Sequence, residues 1–155
     1  MPNEELLVEI LECQHGTKVG HITLNSPETL NSLTMNMVNK ISNLLDDWEV
    51  DPQIKMVLLS GAGEKAFCAG GDIRALYESM CSPEGPVFAE SFFESEYRLD
   101  YKLHNFSKPI VSLLDGIVMG GGAGLMFSSS YKIATERTKF AMPEIGVGLF
   151  PDVGF

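Results

Sequence analysis

The sequence predicts an α/β fold, and three features carry that prediction. Short apolar runs of strand type alternate along the chain with segments of helical periodicity. Two glycine turns, Gly70-Gly71 and Gly120 to Gly122, each open a helix. Breakers such as Asn25-Ser26-Pro27 and Asp51-Pro52 separate the runs. With 155 residues, the chain has the length of one domain, residues 1–155. A chain of this size buries roughly 68–70% of its unfolded surface, enough for a real core.

Taken in order, Leu6 to Leu11 and Lys18 to Leu24 read as strands joined by a turn at His15-Gly16. His21 and Thr23 alternate with Ile22 and Leu24, the pattern of a half-buried strand. Thr34 suits the N-cap of a helix through about Glu49. Val38, Ile41, Leu45 and Trp48 fall on one face of it. Met56 to Leu59 is a continuous apolar run, expected to be covered on both faces. A loop from Ser60 to Lys65 leads into Ala66 to Arg74, where Asp72 sits at a helix start. Pro83 to Pro86 break the chain, and Val87 to His104 form an amphipathic helix. Phe88, Phe92 and Phe93 on it are expected in the core. Ile110 to Leu114 and Ile117-Val118 are strands, the second feeding a helix through about Ser129. Tyr131 to Ala134 and Phe140-Ala141 are short strands. The two strand–glycine–helix junctions suggest a repeated unit.

Composition excludes some functions. The formal net charge of -10 argues against nucleic acid or an anionic membrane as the main partner. It leaves room for an anionic small molecule held by local donors. No apolar run approaches the ~20 residues of a membrane span, and the N-terminal segment has no secretory or transit character. Cys13, Cys68 and Cys81 form no C-x-x-C pair, so they read as reduced thiols of a cytoplasmic protein. His15, His21 and His104 lack ligand spacing, so no metal site is expected.

The chemistry-bearing stretch runs from Gly116 to Asp152. Gly120, Gly121, Gly122 and Gly124 form a cluster that fits neither a dinucleotide fingerprint nor a P-loop. Alone, such a cluster is equally a tight turn. Two glycine turns that each open a helix offer paired N–H donors, as an oxyanion hole requires. Glu144 follows Pro143 and Asp152 follows Pro151, in an otherwise apolar run. Singly, each carboxylate reads as well as a cap; together they suggest acid/base work.

The segments ITLNSPETLNSLT, KAFCAGGDIR, GIVMGGGAGL and FAMPEIGVGLFPDVG, with the pair Glu96-Tyr97, resemble the crotonase (enoyl-CoA hydratase/isomerase) superfamily. Within it they are most similar to the branch of 3-hydroxyisobutyryl-CoA hydrolases. The resemblance implies stacked ββα units, an acyl-CoA substrate, no separate cofactor, and homo-oligomers. It implies thioester hydrolysis of 3-hydroxyisobutyryl-CoA in valine breakdown. Gly71 and Gly121 would supply the oxyanion N–H donors. Glu144 would be nucleophile or base, Asp152 would assist proton transfer, and Glu96 would contact the acyl group. Ala69 and Asp72 would border the substrate. Gly124 stands where hydratases of the superfamily carry their first catalytic glutamate, so hydration by two glutamates is not expected. The alternatives are another crotonase-type enzyme, or a non-catalytic chain that binds CoA or a partner. The resemblance also implies more chain beyond Phe155. Leu149, Phe150, Val153 and Phe155 are then expected to form an exposed apolar end, and Gly146 to Phe155 a mobile loop.

Overall fold

The structure, a computed structural model, describes residues 4–154; Phe155, expected in the apolar end, lies outside them. Strands β1 (Leu6–Glu12) and β2 (Lys18–Leu24) form an antiparallel hairpin. Helix α1 (Met35–Val50) follows, capped by Thr34, whose hydroxyl accepts from the Met37 N–H at 3.1 Å. Its buried face is Met37, Val38, Ile41, Leu45 and Trp48, the stripe that the spacing predicts.

From there the chain repeats one plan. Strand β3 (Ile54–Gly61) leads through β4 (Ala66–Cys68) to helices α2 (Ile73–Ser79) and α3 (Gly85–Asn105). Strands β5 (Ile110–Leu114) and β6 (Ile117–Met119) lead to α4 (Gly121–Ser128). Strands β7 (Tyr131–Ala134) and β8 (Lys139–Ala141) lead to a 3₁₀ turn, Glu144–Val147. The first strand of each pair joins a five-stranded sheet of order β1-β2-β3-β5-β7, and the second joins a three-stranded sheet of order β4-β6-β8. Beyond the β1–β2 hairpin all pairings are parallel. These are stacked ββα units, as the resemblance implies.

Three expectations change. β4, the strand before the Gly70-Gly71 turn, has no bounds legible in the sequence, because three residues are too few for a visible period. β3 is longer than expected and is not covered on both faces: Val57 and Leu59 are buried, whereas Met56 and Leu58 are half-buried. Of the three phenylalanines, Phe92 is buried and Phe93 packs on the core, but Phe88 is exposed.

The register of the small sheet positions the site. Cys68 lies beside Val118, and Val118 beside Phe140. Three residues beyond each partner stand Gly71, Gly121 and Pro143. Three parallel strands thus deliver three equivalent turns to one edge. That edge is the C-terminal one, where α/β sheets place their ligands. Helix α3 closes it, with Phe92, Glu96, Leu99 and Leu103 as its buried stripe.

Candidate active site

A cavity of about 160 Å³ lies at that edge, lined by Ala69, Gly70, Gly71, Glu96, Gly120, Gly121, Glu144 and Asp152, among others. Gly70 has φ of 106° and Gly120 of 51°, values that an L side chain rarely adopts. They turn the chain so that the next residue in each case faces the cavity. The bridge between Leu33 and Gly71 uses the Leu33 N–H to Gly70 O, 2.7 Å, and the Asp72 N–H to Leu33 O, 2.9 Å. It leaves the Gly71 N–H outside the pairing. Gly121 opens α4, whose first bonds are the Ala123 and Gly124 N–H groups to Gly120 O, so its N–H is among the helix's unbonded donors.

Two glutamates flank these turns. A Cβ built on Gly121 would stand 1.9 Å from Glu96 Oε1, and one on Gly71 would stand 4.0 Å from the same oxygen. Both glycines therefore surround one point. A Cβ on Gly120 would lie 3.2 Å from Glu144 Oε1. Glu96 and Glu144 are only 4% and 9% exposed. Glu96 Oε1 and both oxygens of Glu144 have no hydrogen-bond partner among the described residues. A buried carboxylate without a partner is costly, and such groups concentrate at functional sites. Burial, and then the nearby Asp152 carboxylate, push Glu96 up to about 7.

Asp152 lines the same cavity and accepts a close hydrogen bond from the Tyr97 hydroxyl. Burial and that bond to Asp152 push the Tyr97 hydroxyl well above its ordinary value. Ala69 borders the cavity. Asp72 does not: its carboxylate accepts from the Ala75 N–H at 3.0 Å as the N-cap of α2 and faces a different hollow, beside Thr34 and Phe92.

Sequence reasoning gave no role to two groups. Tyr97 appeared only as the neighbour of Glu96. Asp100 was not singled out. Both its oxygens are buried with no hydrogen-bond partner among the described residues. Burial, then Glu96, then Asp152 push it up to about 8. The available signal was its spacing of four from Glu96, which puts both on one face of a helix. Cys68, beneath the turn, is pushed up to about 12 by burial and is inert. A larger hollow of about 790 Å³ lies between α1 and α3, where Lys102 pairs with Asp46 and Arg98 with Glu94, and Glu49 adds a further carboxylate.

Among the described residues no helix is long and apolar enough to cross a membrane. The chain is 50% identical over 137 residues to the mitochondrial 3-hydroxyisobutyryl-CoA hydrolase of Danio rerio, covering 88% of this chain and 35% of that protein. It is 46% identical over 151 residues to the Homo sapiens protein of the same name, covering 97% and 37%. The chain thus spans little more than a third of these relatives. Among solved structures, a carnitinyl-CoA dehydratase from Mycobacterium thermoresistibile superposes with a TM-score of 0.89 at 45% identity, over 98% of this chain and 43% of that one. An enoyl-CoA hydratase from Bacillus anthracis does so at 0.83 and 26% identity, over 97% and 55%. The model of the enoyl-CoA hydratase/isomerase family matches residues 19–155, and with these shared strands, turns and relatives the chain belongs to that family, the crotonases.

Proposed function

We propose that this chain carries the oxyanion and acid/base groups of an acyl-CoA thioester hydrolase that cleaves 3-hydroxyisobutyryl-CoA, a step of valine breakdown. The observation that carries the reading is a pair of buried carboxyls, Glu96 and Glu144, flanking the Gly71 and Gly121 turns, with no hydrogen-bond partner for Glu96 Oε1 or either Glu144 oxygen among the described residues. In the reaction, the hydroxyl of water bonds to the acyl carbon, the acyl C–S bond breaks, and the departing CoA sulfur takes the proton. The Gly71 and Gly121 N–H groups would hold the carbonyl oxygen as negative charge grows on it, where one lost donor costs roughly 2.7–4 kcal/mol of barrier. Glu144 would attack the acyl carbon or deprotonate the attacking water. Asp152, held by Tyr97, would assist the proton transfer. Glu96 would accept a hydrogen bond from the acyl hydroxyl. Ala69 would border the substrate. The reading needs no cofactor, since coenzyme A is part of the substrate, and it includes association with further copies of the chain. With no disulfide among its cysteines, we read the compartment as reducing and cytoplasmic. The named relatives are mitochondrial, and imaging of a tagged protein separates the two.

Glu144→Gln should lower hydrolysis by at least about 10²-fold, the scale of a lost general base, and leave CoA binding nearly intact. Asp152→Asn should also be severe, and the double variant no worse than the worse single one. Near-normal turnover of 3-hydroxyisobutyryl-CoA by Glu144→Gln removes Glu144 from the mechanism. The structural relatives named hydratase and dehydratase favour one other reading, hydration of an enoyl-CoA. Gly124 opposes it, because the helix offers no second glutamate there. Crotonyl-CoA hydration in an acyl-CoA panel, without thioester cleavage, would establish that second reading.

A further inference from the structure

Helices α3 and α4 meet through two matched pairs. On α3 the carboxyls are Glu96 and Asp100, four residues apart; on α4 the glycines are Gly121 and Gly124, three apart. Each carboxyl lies on one glycine. A Cβ at Gly124 would stand 2.6 Å from Asp100 Oδ2 and 2.9 Å from Oδ1. Gly124 therefore makes the room in which Asp100 sits. Glu96 lines the 160 Å³ cavity, and Asp100 lines an adjoining hollow of about 740 Å³. Asp152 lines both, so the two spaces share the Asp152 wall.

We propose that Asp100 selects a hydroxylated acyl chain, its carboxyl donating a hydrogen bond to the substrate's hydroxyl oxygen while Glu96 accepts one from the hydroxyl hydrogen. This rests on the thioester reading above and adds its specificity determinant. A hydroxyl carries one donor and two acceptor positions. Glu96 as a carboxylate satisfies only the donor. The buried hydroxyl oxygen then needs a donor of its own, and leaving it unpaired is costly. Among the described residues neither hollow is lined by a lysine or arginine, and the Tyr97 hydroxyl is already given to Asp152. The titratable groups facing Asp100 are Glu96 and Tyr97 on its own helix, Cys68 from β4, and Asp152. Tyr101 and His104 line the same hollow. With carboxylates this close and no cation, one acid keeps its proton. Asp100, with both oxygens buried against the Gly124 backbone and its carboxyl pushed up to about 8, is the acid assigned that proton.

The test compares 3-hydroxyisobutyryl-CoA with isobutyryl-CoA, which lacks the hydroxyl, by kcat/KM and by direct binding. The wild-type chain should prefer the hydroxylated thioester. Asp100→Ala should cut that preference roughly 10- to 100-fold, through the hydroxylated substrate, as expected for a buried hydroxyl left unpaired. Gly124→Ala, which pushes Asp100 aside without replacing it, should do the same. Asp100→Asn keeps a donor, so it should hold the preference within about threefold. It should also abolish the loss of preference above about pH 8 that the ionisable acid gives. Circular dichroism and binding of free CoA identify any variant that fails to fold, and the Asp100→Asn pH profile then carries the test. An unchanged preference in Asp100→Ala, an Asn variant as impaired as the Ala one, or a wild type indifferent to the hydroxyl overturns the proposal. A wild type that neither binds nor cleaves either thioester instead overturns the hydrolase reading beneath it.

Discussion

Glu96 and Asp100 illustrate what one buried carboxyl costs a native state. An acid whose pKa rises on folding keeps a proton that the unfolded chain releases. Over the window from the ordinary carboxylate range, near 4, up to about 7 for Glu96 and about 8 for Asp100, the native state binds more protons. Stability therefore falls as pH rises through that window. The urea midpoint should be higher near about pH 5.5 than near about pH 8.5, and Asp100→Asn should flatten the slope. Asp115, held low by hydrogen bonds from Arg137 and Thr135, has the opposite sign. Its contribution is lost only as pH falls below the ordinary aspartate range. A midpoint that rises from pH 5.5 to 8.5 would show that these acids are not buried as described.

At the scale of elements, caps tie the site to the scaffold. Thr34 accepts from the Met37 N–H at the start of α1 and donates to Glu5 Oε2 at 2.9 Å, just before β1. The same segment supplies Leu33, whose bridge orients the Gly71 turn. Thr34→Ala should cost about 0.5–2 kcal/mol, the usual worth of such a cap, read from denaturant unfolding. The loss should reach the site as looser acyl-CoA binding. A variant as stable as wild type would show that the cap carries no energy here. The α3–α4 contact works differently. Four side-chain positions, two acidic and two without a side chain, set how close the helices come, so small residues on α4 serve the acids on α3.

At the scale of the molecule, much apolar surface faces solvent. Ile145 is 83% exposed and Phe150 77%, with Val147 and Leu149 beside them. Edge strand β7 exposes Tyr131 and Ile133. Large exposed apolar side chains in such number favour association. The isolated chain should elute in size-exclusion chromatography above its 17.0 kDa mass, or precipitate. A monodisperse monomer would show that the surface is tolerated as it stands.

The sequence by itself determined the periodic parts. The α1 stripe, the Thr34 and Asp72 caps and the two glycine turns follow from local rules of spacing, capping and backbone freedom. Each acts within a few residues, so each is legible in a string. The motifs likewise named Glu96, Glu144, Gly71, Gly121, Ala69 and Asp152, all of which the fold brings to one cavity. What the string could not decide is non-local. Strand β4 is a strand only because β6 lies beside it. Asp72, a substrate neighbour by motif, has its carboxylate turned to its own helix. Asp100 resembles any helical aspartate until α3 packs on α4 and Gly124 leaves space for it. Burial and unpaired oxygens are properties of what surrounds a residue, and only the tertiary structure assembles those surroundings.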